Sequence, residues 1–169
     1  MKGNRQAQFE LYRLYSKAMY NICLRMLRND MDAEDLLQNS FVDIYRKIDT
    51  FRFQSSIGAW IKRIVINNCI NFLKKKRLEI VTLENQHDDR WDEPEKTTED
   101  LPLNVKDIKN AINQLPDGYR VVFNLYTMEG YDHKEIAQIL EVSEATSKSQ
   151  YSRAKKRLRE LLKDGMVKR

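Results

Sequence analysis

Apolar residues recur every three or four positions through most of this chain, which is the spacing that places side chains along one face of an α-helix. The 169 residues include only five Gly and three Pro, so few positions oppose helix formation. The predicted helices cover residues 6–28, 33–48, 57–76, 105–115, 118–129, 133–140 and 144–163. We therefore predict an all-α protein.

The same periodicity predicts which side of each helix enters a core. The first helix is expected to bury an apolar side that begins at Phe9. The third is expected to bury Ile57, Ile61, Ile64, Val65 and Phe72, and the last Tyr151, Ala154, Leu158 and Leu161. Asp32, Asp117 and Ser143 are placed to cap the helices that follow them.

Residues 78–104 contain two of the three prolines, an acidic run and only scattered apolar residues, which is typical of a flexible linker. Net charge follows the same division. Residues 1–77 carry 15 Lys/Arg and 7 Asp/Glu, residues 78–104 carry 2 and 9, and residues 105–169 carry 13 and 9. We predict two small helical domains, 1–77 and 105–169, joined by that linker, each basic enough to bind a polyanion.

An aromatic and hydroxyl-rich loop precedes the third helix, and aromatic rings offer stacking surfaces to unpaired bases. Along the helix, Arg63, Asn67 and Asn71 are spaced four residues apart and form a polar row, with Trp60 and Lys74 beside it. Asparagine is a poor helix former, so two aligned in a helix interior suggest a contact. A core helix with a solvated basic end fits this stretch equally well.

The second helix directs Asp35, Gln38, Asn39 and Asp43 toward solvent. Such a stripe of acids and amides is either a solvated face or a docking surface for a protein. Periodicity does not distinguish between the two.

Segment 133–163 has the spacing of a helix-turn-helix, with a short helix, the three-residue turn 141–143 and a longer second helix. One face of the second helix carries small, hydroxyl and basic side chains, which suit close approach to a major groove and contacts with phosphates or base edges. These are Ala145, Lys148, Ser149, Ser152, Arg153 and Lys156. A merely solvated basic helix accounts less well for the turn spacing and the small residues.

The sequence offers no sign of a catalytic site, a cofactor or a metal. It contains no glycine-rich phosphate loop and no residues at metal-ligand spacing, and neither His87 nor His133 is placed for acid–base chemistry. Cys23 and Cys69 lie among apolar residues and are expected to be buried, reduced thiols. Without an apolar run of ~20 residues or a signal-peptide pattern, we expect a cytoplasmic protein without membrane insertion.

Three stretches, in chain order, resemble those of one family, the extracytoplasmic-function (ECF) RNA polymerase sigma factors of the sigma-70 superfamily. DAEDLLQNSFVDIYR resembles the family's core-polymerase-binding helix. FRFQSSIGAWIKRIVINNCINFL resembles its promoter-melting loop and minus-ten-reading helix. LPDGYRVVFNLYTMEGYDHKEIAQILEVSEATSKSQYSRAKKRLRELL resembles its minus-thirty-five-reading domain. Together they cover nearly everything outside the linker.

The resemblance implies a bacterial transcription initiation factor that binds core RNA polymerase, directs it to promoter DNA, promotes opening of the duplex and is regulated by an anti-sigma factor. Core-polymerase binding is expected of Asp35, Gln38 and Asn39. Minus-ten DNA binding and melting is expected of Phe51, Arg52, Phe53, Gln54, Ser55, Ser56, Trp60, Arg63, Asn67, Asn71 and Lys74. Minus-thirty-five binding is expected of Lys148, Ser149, Ser152, Arg153 and Lys156.

Four positions depart from the family pattern. Glu141 and Ala145 stand where Gly is frequent, Ser147 replaces an apolar residue and Gln150 replaces a basic one. These changes leave the fold intact but affect the expected promoter sequence, and they put a phosphate contact at Gln150 in question.

Two other classes of protein fit parts of the sequence. A stand-alone DNA-binding regulator explains the helix-turn-helix but leaves the melting loop and the second helix without a task. An inactive sigma-like adaptor, which binds polymerase or an anti-sigma protein without directing transcription, fits all three stretches.

Overall fold

A computed structural model of the chain describes residues 4–76 and 104–167, and each regular element within these ranges is a helix. The predicted all-α fold is confirmed. The chain divides between Leu78 and Glu79 into two compact units. The predicted linker, residues 78–104, lies outside the described residues except for Asn104, the N-cap of a helix in the second unit.

In the first unit three helices pack on one another. They are α1 (Arg5–Leu27), α2 (Asp30–Lys47), which a 3-10 turn (Ile48–Thr50) extends, and α3 (Ile57–Lys75). Arg28 ends α1 with a φ of 61°, and Asn29 caps α2 by accepting a hydrogen bond from Asp32 N–H at 2.9 Å. The prediction that Asp32 is the cap is therefore wrong, because the earlier asparagine already satisfies the first turn.

The buried side of α3 is broader than the sequence predicted. Ile61 and Val65 are buried as expected, but Ile57, Ile64 and Phe72 are only half-buried. The remaining buried positions are Ile66, Cys69, Ile70 and Leu73. The physical reason is that α3 packs against both α1 and α2, so its apolar stripe covers two adjoining faces.

The core of the first unit holds both cysteines. Cys23 of α1 and Cys69 of α3 are 0% exposed, and their sulfur atoms, which form no disulfide, lie 3.9 Å apart. Their predicted burial is confirmed. Phe9, in contrast, is exposed rather than in the core. At 100° per residue it lies about 200° around α1 from buried Leu11, and therefore on the opposite face.

The second unit, within residues 104–167, has four α-helices. They are α4 (Val105–Gln114), α5 (Asp117–Phe123), α6 (His133–Leu140) and α7 (Glu144–Val167). Ile112, Leu115, Phe123 and Ala154 form a buried cluster, on which Tyr151, Leu158 and Leu161 pack. A π-helical turn, Asn124–Met128, continues α5 and leaves Tyr126 and Met128 exposed.

A buried arginine joins the start of α5 to the end of α4. Arg120 is 1% exposed, and its guanidinium pairs with Asp117 at 2.5 Å and donates a hydrogen bond to Leu115 O at 3.1 Å. Asp117 is therefore the first residue of α5 and part of an ion pair, while Pro116 occupies the N-cap position predicted for Asp117. A charge this deeply buried is tolerated because it is paired and hydrogen-bonded.

Helices α6 and α7 form the predicted helix-turn-helix. Asp132 and Glu135 make a capping box at the start of α6. Ser143 caps α7 as predicted, since its Oγ accepts a hydrogen bond from Thr146 N–H at 2.9 Å. Glu141, in the turn, has a φ of 61°. Glycine takes this left-handed conformation freely, whereas most residues adopt it at a cost of about 1–2 kcal/mol.

Candidate DNA and polymerase interfaces

The outer face of α2 presents three polar side chains next to one another. Asp35, Gln38 and Asn39 are exposed, whereas their apolar neighbours on the helix are buried. Asp43, predicted to share this face, is half-buried and accepts a hydrogen bond from Asn68 Nδ2 of α3 at 3.1 Å. The surface offered by α2 is therefore narrower than the predicted stripe.

Three aromatic rings cluster at the N-terminal end of α3. The centroid of the Phe51 ring lies 4.7 Å from that of Phe53 and 5.5 Å from that of Trp60. Phe53 is 86% exposed, and its φ of 56° is one that phenylalanine rarely adopts. Ser56 ends the loop by accepting a hydrogen bond from Ala59 N–H at 3.2 Å. The other loop side chains, Arg52, Gln54 and Ser55, are exposed.

A polar row runs along the side of α3. From its first residue to its last the row advances by eleven helical steps, or about 16 Å at the rise of 1.5 Å per residue. Its members, Arg63, Asn67, Asn71 and Lys74, are all exposed. The adjacent Asn68 points inward instead and donates hydrogen bonds to Ser40 Oγ and Asp43 Oδ2 of α2, each at 3.1 Å. Asn67 is therefore exposed, whereas its neighbour Asn68 joins α3 to α2.

The C-terminal end of α3 carries three consecutive lysines. Lys76 Nζ pairs with Asp32 Oδ2 at 2.7 Å and lies 4.7 Å from the centroid of the Phe72 ring, so this cation contributes to packing within the unit. Lys74 and Lys75 are exposed. The carboxyl end of a helix favours positive charge, so this position suits them.

The exposed side of α7 carries the residues predicted to read upstream DNA. Lys148, Ser152 and Lys156 are exposed, and Ser149 and Arg153 are half-buried. Lys148 pairs with Glu144 at 2.7 Å, and the hydrogen bond and charge of this lysine lower the pKa of the Glu144 carboxyl. An exposed pair one helical turn apart is worth only ~0.3–0.5 kcal/mol, so a phosphate can readily compete for the lysine.

Two polar residues of α7 point inward. Gln150 is 5% exposed, so the phosphate contact considered at this position is excluded by its burial. Ser147 is 0% exposed, and its Oγ lies 3.0 Å from His133 Nδ1 of α6. Sequence reasoning missed this pair. The spacing indicates that Ser147 is buried, because position 147 precedes Tyr151 by four residues and Ala154 by seven and so lies on the predicted buried side of the helix.

Within residues 4–76 and 104–167, no group of three or more His, Cys, Asp and Glu side chains is arranged to hold a metal ion. The helices of these ranges also include none with the length and apolar character needed to cross a bilayer. The three surfaces described above as candidate functional sites are polar, and one of them is also aromatic. They are the α2 face, the loop with the α3 row, and the exposed side of α7.

Comparison with known proteins accounts for both units. Residues 11–79 match Sigma-70 region 2 and residues 106–158 match Sigma-70, region 4. The fold and its surfaces therefore define an RNA polymerase sigma factor of the sigma-70 type, which is a transcription initiation factor and not an enzyme. The chain belongs to the ECF family of these sigma factors.

Two relatives from Bacillus subtilis match this chain over more than nine-tenths of their own length. The ECF RNA polymerase sigma factor SigW is 30% identical over 174 residues, which cover 96% of this chain and 92% of SigW. The ECF RNA polymerase sigma factor SigM is 29% identical over 161 residues, which cover 93% and 96%. Membership of this family excludes the stand-alone regulator considered from the sequence.

A solved structure agrees with the fold. The sigma factor RpoE from Bartonella quintana, solved in complex with the anti-sigma factor NepR, aligns with a TM-score of 0.62 at 26% identity. The alignment covers 91% of this chain and 95% of RpoE. CnrH, solved with the cytosolic domain of CnrY, aligns with a TM-score of 0.57 at 21% identity, over 96% of this chain and 91% of CnrH, and supports the fold alone.

Proposed function

We propose that this sigma factor binds core RNA polymerase through the outer face of α2, reads and opens the minus-ten element with the loop 51–56 and α3, and reads the minus-thirty-five element with α7. The observation that carries the proposal is Phe53. A large apolar ring is 86% exposed on a left-handed backbone, and the helix that follows carries a row of exposed amides and cations. Strain of this kind is found mainly where a site uses it.

Opening a duplex requires a site that holds a base after it has left the stack. The exposed ring of Phe53 offers a stacking face, the Phe51 ring packs beside it, and Trp60 of α3 packs on Phe51. Stacking of a base on an aromatic side chain is worth ~1–3 kcal/mol, comparable to the cost of unstacking that base. The loop is therefore suited to capture a single base of the non-template strand.

The polar row of α3 suits the strand on either side of that base. The guanidinium of Arg63 and the ammonium of Lys74 attract phosphates, and amides such as that of Asn67 pair a donor with an acceptor, as base edges require. The length of the row, about 16 Å, matches several nucleotides of backbone.

The α2 face and the α7 face complete the proposed assignment. Asp35, Gln38 and Asn39 lie on the helix that Asn68 fastens to α3, so a polymerase bound there is adjacent to the DNA-facing row. On α7, the small and basic side chains allow a major groove to approach, and Arg153 offers the bidentate geometry that recognises guanine.

Regulation by an anti-sigma factor and a cytoplasmic location are parts of the same proposal. Two proteins with this fold, RpoE of Bartonella quintana and CnrH, were solved in complexes, the first with an anti-sigma factor. A factor that works with polymerase on chromosomal DNA acts in the cytoplasm. Co-purification of the native chain from its own cells identifies such a partner.

The test compares Asn67→Ala/Asn71→Ala with the wild type in reconstituted holoenzyme, on promoters located by start-site mapping after overexpression. Two lost hydrogen bonds at about 0.5–1.5 kcal/mol each reduce open-complex formation by about 5- to 150-fold, while affinity for core polymerase is unchanged. Asn21→Ala, an exposed asparagine within α1, is the control for the gain in helix propensity.

Two other outcomes are informative. Equal loss of core binding and opening in Asn67→Ala/Asn71→Ala makes both residues structural and overturns their assignment to DNA. A wild-type chain that binds core polymerase but yields no promoter-specific run-off transcript is the inactive adaptor.

A further inference from the structure

A cluster of one imidazole, two phenols and one hydroxyl connects the helices of the helix-turn-helix. His133 Nδ1 lies 3.0 Å from Ser147 Oγ. The imidazole stacks on the Tyr126 ring, with centroids 4.6 Å apart and planes at 19°, and meets the Tyr151 ring at 5.6 Å and 61°. The two tyrosine rings are 4.4 Å apart. His133, on α6, therefore contacts both the π-helical turn and α7.

The hydroxyl at the centre of this cluster is unusual for its position. Ser147 is completely buried at the contact between α6 and α7, where an apolar side chain is the usual choice. Burying a hydroxyl without a hydrogen-bond partner is unfavourable, so the position of α7 that keeps Ser147 beside the imidazole is favoured over rotations that separate them.

We infer that His133 is a positioning residue for minus-thirty-five recognition, because its contacts with Ser147 and the two tyrosines fix the rotation of α7 and so decide which side chains reach the groove. The inference rests on the proposed reading of DNA by α7. Lys148 and Ser149 directly follow Ser147 on this helix. A rotation of about 10° moves a side-chain tip at a radius of ~6 Å by about 1 Å, enough to disrupt a bidentate hydrogen bond.

The surroundings of the imidazole favour its neutral form. Burial lowers the pKa of His133 below its ordinary value, and the Lys148 ammonium lowers it further. Glu144 and Asp132 oppose this shift, Lys155 adds to it, and the π-helical turn presents the Tyr126 ring. Because the fold favours the neutral ring, this contribution to stability is complete above about pH 6.5 and is lost as the pH falls toward the folded-state pKa.

His133→Phe keeps a ring for the stack on Tyr126 and removes Nδ1. Wild-type and variant holoenzymes are incubated with promoter duplexes randomised across the minus-thirty-five element, and the retained DNA is sequenced. We expect the enrichment of preferred over random sequences to be about 10-fold lower for the variant than for the wild type.

Adding Ser147→Val to His133→Phe replaces the polar contact by an apolar one. This double variant is expected to recover thermal stability without recovering the wild-type sequence preference. Recovery of both together assigns His133 a purely structural role and overturns the inference.

The pH dependence of the wild type provides a second test, which stands even if His133→Phe does not fold. Because the chain has two histidines, His87→Gln is the matched control. As the pH falls below about 6.5 and the His133 ring becomes protonated, the enrichment of preferred upstream sequences should fall equally for the wild type and for His87→Gln. A wild-type preference that stays unchanged down to a pH at which NMR shows the His133 ring to be protonated overturns the inference. No preference at any pH refutes the reading of DNA by α7 itself.

Discussion

Replacing Phe53 by glycine distinguishes the backbone strain of the loop 51–56 from the proposed contribution of the exposed ring to promoter opening. The substitution removes the exposed ring and places at φ 56° a residue that adopts this angle freely. Relief of the left-handed strain gains about 1–2 kcal/mol. Loss of the ring contact with Phe51, about 0.5–1.5 kcal/mol for a full aromatic pair, and the greater freedom of glycine in the unfolded chain, about 0.5–1 kcal/mol, act in the opposite direction.

These terms nearly cancel, so the free energy of unfolding of Phe53→Gly should lie within about 1 kcal/mol of the wild-type value. The variant should lose the stacking of one base, which is worth ~1–3 kcal/mol, so promoter opening should be reduced by about 5- to 150-fold. Phe53→Ala is the matched control, since it removes the same ring but keeps the strain. It should open promoters as poorly as Phe53→Gly and be about 1 kcal/mol less stable.

Urea unfolding measures the stability of the three proteins, and permanganate reactivity of unpaired thymines measures opening by their holoenzymes. A glycine variant that opens promoters as well as the wild type would refute the stacking role of Phe53. If Phe53→Ala is as stable as Phe53→Gly, the left-handed backbone carries no strain, and the link between strain and function is lost.

Two further predictions concern the second unit. Arg153→Ala should weaken or shift the preference at a single upstream base pair by ~1–3 kcal/mol in the randomised-duplex selection. Arg159→Ala, at an exposed position of the same helix, is the control and should leave the preference unchanged. A loss of affinity spread evenly over all sequences would reassign Arg153 to a phosphate contact. Arg120→Met leaves the carboxylate of Asp117 without its buried partner, so the free energy of unfolding in urea should fall by about 3–5 kcal/mol. A loss below about 1 kcal/mol would show that the ion pair is dispensable.

Much of the fold was predictable because its signals are local. The helix-turn-helix follows from a three-residue turn between periodic segments, and Ser143 caps α7 as predicted. The polar row of α3 was expected to be exposed because its members are three or four residues apart, and Arg63, Asn67, Asn71 and Lys74 are indeed exposed. Their role on DNA stays a prediction.

The wrong predictions concern positions where more than one helix can pack or more than one residue can cap. Asn29 and Asp32 are both good N-caps, and the end of α1 at Arg28 decides between them. Helix α3 has two partners, so no single stripe describes its core. The contact of His133 with Ser147 joins residues fourteen positions apart on different helices, and only the packing of α6 against α7 brings it about.

The inward-facing Asn68 has a mechanical consequence for the first unit. Its amide bonds to Ser40 and Asp43 resist sliding of α2 along α3. Any shift of α2 as it seats on a protein surface is thus transmitted to α3 directly, across two hydrogen bonds, instead of through the intervening loop. In the proposed assignment, this connection makes the location of the melted base on the DNA depend on how α2 sits on the polymerase.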